Sequence, residues 1–121
     1  MENITLEYTD IFDENKVKEL VFSKHLINSE FNEKSLLALL VDGKSMQPLI
    51  NDRAVIVADL SQKVLSDEKI YLVYYENKMW VKRYKKEEDT FISINPEFSH
   101  LVYKKEEVHI VARVLLTFTN L

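Results

Sequence analysis

The sequence predicts a mainly β protein with a single domain, and three observations support this. The chain has 121 residues, a length that lets one domain remove roughly two thirds of its unfolded surface from water. From Leu36 onward it consists of short runs rich in β-branched and aromatic residues, which are typical of half-buried strands. One glycine and two prolines in the whole chain leave no flexible or proline-rich linker between domains.

The strand candidates follow one another along the chain. They are residues 4–8, 35–41, 54–59, 69–75, 78–84, 90–93 and 108–118. Residues 76–78, Glu-Asn-Lys, predict a hairpin turn, because Asn tolerates the left-handed backbone conformation that tight hairpins need. In the last run every second residue from Val108 to Leu116 is apolar, which predicts a strand with one buried face.

The first 35 residues are less regular and predict short helices. Residues 13–20 and 23–29 contain helix formers, with Asp13 and Ser23 as possible N-caps. Two such helices could form a DNA-binding helix-turn-helix, but residues 13–40 carry no cluster of Lys or Arg that would neutralise phosphates. We therefore divide the chain into a lead-in, residues 1–35, and a core, residues 36–121.

Composition excludes several classes of function. The chain has no cysteine, which rules out disulfides, thiolate catalysis and sulfur-ligated zinc. A single glycine cannot build a dinucleotide-binding or phosphate-binding loop. Residues 1–10 do not resemble a signal peptide, and the longest apolar stretch, residues 36–41, is far too short to span a membrane. We expect a cytoplasmic protein without metal, cofactor or membrane contact, and the net charge of −4 disfavours DNA binding by the domain itself.

Ser45 lies in a turn between two predicted strands, and it has two possible roles. Its hydroxyl could cap a short helical turn. Alternatively it could be a nucleophile, with free backbone N–H groups of the turn forming an oxyanion hole. The only glycine, Gly43, precedes it by two residues, which indicates that the backbone needs an unusual conformation there.

A nucleophilic serine needs a base. His25, His100 and His109 have no spacing that connects them with Ser45. Lys82 lies in the run Met-Trp-Val-Lys-Arg-Tyr, where aromatic neighbours on the same strand face could remove water and keep the amine neutral. The alternative is that Lys82 belongs to a solvated basic cluster with the nearby Arg and Lys residues.

Several motifs together resemble the C-terminal domain of LexA-like and phage repressors, the Ser-Lys self-cleaving peptidases related to bacterial signal peptidases. Residues 41–50, Val-Asp-Gly-Lys-Ser-Met-Gln-Pro-Leu-Ile, are similar to the family's V-x-G-D-S-M-x-P-x-I. Residues 80–84, Trp-Val-Lys-Arg-Tyr, resemble Y-V-K-R-L, residues 94–98 resemble S-x-N-P-x-Y, and residues 110–114 resemble I-x-G-R-V. These matches occur in family order from about Leu36 to the C-terminus.

The resemblance implies Ser45 as nucleophile and Lys82 as general base, with Gly43 and Met46 supporting the turn and the oxyanion site. It also implies a compact, bent, barrel-like β-sheet, a homodimer, and DNA binding only through a helix-turn-helix segment that this sequence does not contain. The lead-in would then be the remnant of the family's cleavage-loop region.

The sequence departs from the family at three points. The family cleaves an Ala-Gly or Cys-Gly bond upstream of the serine, and this bond cannot exist here because the only glycine, Gly43, follows Asp42. The chain would then be either a fragment that starts at or after a cleavage point or a variant whose loop is shortened to residues 12–16. Lys44 replaces the acidic residue before the serine, and Arg53 replaces the acidic residue after Asp52. The leading hypothesis is a regulatory and dimerisation domain with a Ser-Lys dyad. The alternatives are a non-catalytic interaction module of the same fold and a protease that acts on other chains.

Overall fold

The computed structural model describes residues 2–121, so Met1, the first residue of the predicted lead-in, lies outside the described residues. Two antiparallel sheets form the fold. Their strands are β1 (Asn3–Asp10), β2 (Lys16–Ser23), β3 (Leu36–Leu40), β4 (Val55–Asp59), β5 (Ile70–Tyr75), β6 (Lys78–Lys85), β7 (Thr90–Ile92), β8 (Tyr103–Lys104) and β9 (His109–Phe118). Strands β1 and β2 form a hairpin, and the others form one sheet in the order β3-β4-β9-β5-β6-β7-β8. The prediction of a mainly β fold is confirmed.

Short 3₁₀ turns account for all the helical structure in the described residues. They are Lys24–Leu26, Glu33–Ser35, Pro96–Phe98 and Lys105–Glu107.

The predicted N-terminal helices are wrong. Residues 16–20 belong to β2, which pairs with β1 along its whole length and buries Phe22 opposite Ile4. This pairing overrides the local helix propensity of the Lys-Val-Lys-Glu-Leu segment. Residues 23–29 contain only the single 3₁₀ turn Lys24–Leu26, although Ser23 does cap it, accepting a hydrogen bond from the His25 N–H at 3.2 Å.

The predicted hairpin turn is confirmed, whereas the predicted one-faced last strand holds only in part. Glu76 and Asn77, between β5 and β6, have φ values of 48° and 65°, as a two-residue hairpin loop requires. The register of strand β9 is irregular against both of its neighbours. Val111 is left unpaired in the pairing with β5, and Leu115 is left unpaired in the pairing with β4. Each bulge moves the following side chains to the other face of the strand.

Strand β6 separates two parts of the core and thereby positions the site. On one side, Val81 packs against a buried cluster that contains Met46 and Ile56. On the other side, Trp80 packs against a cluster that contains Tyr84. Alternation along the strand directs Lys82 to the same side as Trp80 and Tyr84.

Candidate functional site

A loop closed at its base by backbone hydrogen bonds connects β3 to β4 and carries Ser45. The Val41 N–H donates to the Ala54 carbonyl, and the Arg53 N–H donates to the Val41 carbonyl, both at 2.8 Å. Gly43 has a φ of +133° and donates its N–H to Asp52 Oδ1 at 2.8 Å. No atom outside residues 42–44 lies within 4 Å of where a Cβ would stand on Gly43, so glycine is needed for its backbone conformation and not for space.

Ser45 is half-buried within this loop, and its backbone is fixed from outside the loop. The Asn95 N–H donates to the Ser45 carbonyl and the Asn95 side-chain amide donates to the Lys44 carbonyl, both at 2.9 Å. Within residues 2–121 no backbone N–H donates to Ser45 Oγ, so the hydroxyl does not cap a helical turn. Met46 is buried beneath the turn, with 2% of its surface exposed.

The two residues expected to support the oxyanion site differ in what they can offer. The N–H of Gly43 is already engaged by Asp52. The N–H of Met46 has no hydrogen-bond acceptor among the described residues. Gly43 therefore contributes to the shape of the turn, and of the two residues only Met46 has an unengaged N–H.

Lys82 is completely buried, so the alternative of a solvated basic cluster is wrong for this residue. Its Nζ donates to Ser93 Oγ at 2.5 Å and to the Leu101 carbonyl at 3.3 Å. It also lies 5.3 Å from the ring centre of Trp80 and 5.1 Å from that of Tyr103. In the part of the chain that the structure describes, no carboxylate forms a salt bridge with the amine. Burial lowers the pKa of Lys82 from 10.5 to about 8, because an uncompensated charge is disfavoured away from water.

Residues 93–95 contact both candidate catalytic residues. No hydrogen bond joins Ser45 to Lys82 in residues 2–121. Instead, Ser93 Oγ accepts a hydrogen bond from the Lys82 amine, and the Asn95 N–H donates one to the Ser45 carbonyl. The resemblance over residues 94–98 does not predict these contacts, and Ser93 lies just before it. Tyr103 was not predicted either, because no local sequence pattern connects its ring with Lys82.

The remaining titratable candidates do not contribute to the site. His25, His100 and His109 are all exposed, and none donates to or accepts from Ser45 in the described chain. The Ser45 hydroxyl therefore has no histidine base.

A cleft of about 400 Å³ opens beside Ser45. Its lining is mostly apolar and comes from strands β3 to β6, from the loop that carries Ser45 and from the 3₁₀ turn Pro96–Phe98. Apolar residues of the lining include Leu39, Ile56, Leu72, Met79, Val81 and Phe98. Trp80 also lines the cleft, and its Nε1 is buried without a hydrogen-bond partner among the described residues.

Two comparisons with known proteins show what the chain is similar to. The sequence model of a family described as Peptidase S24-like matches residues 2–115. An uncharacterized HTH-type transcriptional regulator of Haemophilus influenzae is 43% identical over 58 residues, which is 46% of this chain and 24% of that protein. The match therefore spans about a quarter of the relative's length. In residues 2–121 no helix is long and apolar enough to cross a membrane.

Proposed function

Because the chain belongs to the Peptidase S24-like family, we propose that it is the regulatory and dimerisation domain of a LexA-like transcriptional regulator, with Ser45 and Lys82 as a peptidase dyad. The relative described as an HTH-type transcriptional regulator supports the regulatory context. In this proposal the homodimer is cytoplasmic, DNA is bound through a helix-turn-helix segment outside this domain, and the β1–β2 hairpin is the remnant of the cleavage-loop region.

The burial of Lys82 without a carboxylate partner is the observation that carries the catalytic proposal. A general base must have a free electron pair, and an ordinary lysine with a pKa of 10.5 is almost entirely protonated at neutral pH. Burial lowers the pKa to about 8, so roughly a tenth of the molecules hold a neutral amine at pH 7 and half of them at pH 8. A lysine held in this way can accept the proton of a serine hydroxyl.

The proposed mechanism follows from these groups. Ser45 Oγ attacks a peptide carbonyl carbon and Lys82 Nζ accepts the hydroxyl proton, while the Met46 N–H donates to the carbonyl oxygen as it becomes negative. The C–N bond then breaks, and the leaving amine takes the proton from Lys82. Water hydrolyses the resulting ester. Before attack, the amine of Lys82 must turn from Ser93 towards Ser45.

Cleavage of a blocked peptide with an Ala-Gly bond tests this proposal. The protein should cleave the peptide at a rate that rises with pH and reaches half its maximum near pH 8. Ser45→Ala and Lys82→Met should abolish cleavage. Ser99→Ala and Lys78→Met, which replace an exposed serine and an exposed lysine, are the matched controls and should cleave like the wild type. Cleavage that survives Ser45→Ala would refute the role of this serine.

A second candidate function is a dimerisation module without catalysis. The hydrogen bond from Lys82 to Ser93, together with the absence of one between Lys82 and Ser45 in residues 2–121, favours it. This candidate predicts that no pH up to 9 gives cleavage, whereas sedimentation still shows a dimer that dissociates on dilution. It further predicts that Ser45→Ala leaves the dissociation constant unchanged. Cleavage that depends on Ser45 would exclude it.

A further inference from the structure

The rings of Trp80 and Tyr103 form an aromatic box around the amine of Lys82. Trp80 belongs to β6, like Lys82 itself, whereas Tyr103 comes from β8. The amine lies over both ring faces, at 5.3 Å from the centre of the Trp80 ring and 5.1 Å from that of Tyr103. The faces of aromatic rings are electronegative and attract cations at such distances. Both rings therefore favour the charged form of the amine.

The ring of Tyr103 is fixed by three other strands, so its contact with the amine is built into the fold. It stacks on the ring of Tyr75 from β5, with the ring centres 4.1 Å apart and an angle of 22° between the ring planes. Its contact with Trp80 is edge-to-face, with the centres 6.0 Å apart. Backbone pairing of Tyr103 with Phe91 attaches the short strand β8 to β7.

The hydrogen bonds of the Lys82 amine also favour its charged form. A charged lysine has three N–H groups that donate and no electron pair that accepts. Ser93 Oγ and the Leu101 carbonyl accept two of these hydrogen bonds. A neutral amine would lose the attraction of both ring faces. The aromatic box therefore stabilises the amine in the form that cannot act as a base, in contact with Ser93 and, within residues 2–121, without a hydrogen bond to Ser45.

We propose that Tyr103 is a positioning residue for Lys82, whose ring retains the charged amine at Ser93 until loss of the proton frees it to turn towards Ser45. The inference rests on the proposed function, because it describes how the proposed base is held before it acts. Burial lowers the pKa of Lys82 to about 8, and the ring faces oppose this effect by stabilising the charge. The balance of the two sets the pH at which the base becomes available.

The tyrosine hydroxyls around the amine stay neutral over the pH range in which Lys82 titrates. Burial raises the pKa of Tyr103 and the pKa of Tyr75 above 10. Tyr84 lies on the same side of β6 as Lys82, and its hydrogen bond to Asp89 raises the pKa of Tyr84 to about 12.

Three carboxylates lie near these tyrosines. They are Glu76 and Glu107 near Tyr75, and Asp89, which accepts the hydrogen bond of the Tyr84 hydroxyl. In the described part of the chain none of the three forms a salt bridge with Lys82, and burial is the cause of its lowered pKa. A change in this pKa when only the electrons of the Tyr103 ring are altered therefore reports the ring itself.

Phenylalanines of increasing fluorination in place of Tyr103 test the proposal, because fluorine withdraws electron density from the ring face and hardly changes the size of the ring. An NMR titration of the Lys82 side chain, identified by comparison with Lys82→Met, measures the pKa in each protein. Tyr103→Phe should leave this pKa close to that of the wild type. The trifluorinated ring should lower it by about 0.5 to 1, and the monofluorinated and difluorinated rings should give intermediate values in that order.

A matched control places the same trifluorinated ring at Phe22, which is buried in a cluster with Ile4, Ile27 and Val57. This control should leave the pKa of Lys82 unchanged. Urea unfolding curves show that each protein is folded. Cleavage of the Ala-Gly peptide is the second measurement: with the trifluorinated ring at position 103, the rate should reach half its maximum at a correspondingly lower pH and be about threefold higher at pH 7.

Several outcomes would overturn this inference. They are a pKa of Lys82 that is unchanged or raised by the trifluorinated ring at position 103, an equal decrease from the Phe22 control, and a cleavage profile that does not follow the pKa. Failure of the proposed peptidase is distinguishable, because no variant would then cleave the peptide at any pH. In that case a pKa that still falls with increasing fluorination would confirm that Tyr103 holds the charged amine.

Discussion

Replacing Lys82 by methionine, an uncharged side chain of similar length, should change how the stability of the protein depends on pH. The pKa of Lys82 is about 8 in the folded protein and 10.5 ordinarily. This pKa difference of about 2.5 corresponds to about 3 kcal/mol, at about 1.4 kcal/mol for each pH unit. Below pH 8 the amine is charged in both states, and the folded state bears the full desolvation cost. Between pH 8 and 10.5 the unfolded chain holds more protons than the folded one, so the wild-type stability rises.

The difference in stability between Lys82→Met and the wild type should therefore fall by about 3 kcal/mol from pH 7 to pH 10.5. Urea unfolding, followed by the fluorescence of Trp80, measures it at steps across this range. Loss of the hydrogen bond to Ser93 changes the stability of Lys82→Met by the same amount at every pH, so it does not affect how the stability difference varies with pH. Lys78→Met, which removes an exposed amine of the same strand, should follow the wild type. A stability difference that stays constant from pH 7 to pH 10.5 would refute the reasoning.

Three further substitutions test other parts of the structure. Ser93→Ala should lower the pKa of Lys82 further, because the hydroxyl accepts a hydrogen bond from the charged amine; an NMR titration of the Lys82 side chain measures this, and an unchanged pKa would contradict it. Asp59→Ala should destabilise the protein by about 3 kcal/mol at pH 7 in urea unfolding, because a buried carboxylate there accepts four hydrogen bonds. Burial raises the pKa of Asp59, but these hydrogen bonds lower it below 3.8 on balance. The stabilisation that the ionised carboxylate provides should therefore be present above about pH 4 and be lost as the pH falls further. A loss below 1 kcal/mol, or one that is as large at pH 2 as at pH 7, would contradict this. Gly43→Ala should cost about 1–2 kcal/mol, because a side chain is strained at a φ of +133°; an unchanged urea midpoint would show that the turn relaxes without cost.

Local patterns were sufficient to predict the strands of the core other than the two-residue β8, and the turn between β5 and β6. The turn depends on two adjacent residues, and Asn77 takes the left-handed conformation for which its residue type is favoured. Strand β2 could not be predicted in the same way. Its Lys-Val-Lys-Glu-Leu segment contains good helix formers, and its strand conformation depends on pairing with β1 and on the burial of Phe22. Intrinsic propensity determines whether a segment forms a helix or a strand only where such long-range contacts are weak.

In the candidate site, too, the local features could be predicted from the sequence and the long-range contacts could not. The Ser45 turn and the apolar run around Lys82 are local features, and each is visible in a short stretch of sequence. The groups that hold the Lys82 amine are not local: Ser93 is eleven residues away along the chain, and the Leu101 carbonyl is nineteen residues away. Strand β7 and the loop after it bring them to the amine. No short-range periodicity contains this information, because only the folded sheet creates the contact.

The burial of Lys82 has a cost that a packing role would not require. A charge buried without a carboxylate costs about 3 kcal/mol at neutral pH, by the difference between its two pKa values, and this is a large fraction of the 5–15 kcal/mol that stabilises a typical domain. A methionine or leucine would fill the same space between Trp80 and Tyr103 without this cost. The hydrogen bond to Ser93 offsets part of this cost. An apolar side chain would need no such bond, because it would introduce no buried donor. Packing alone therefore does not explain the lysine, whereas the proposed role as a general base would.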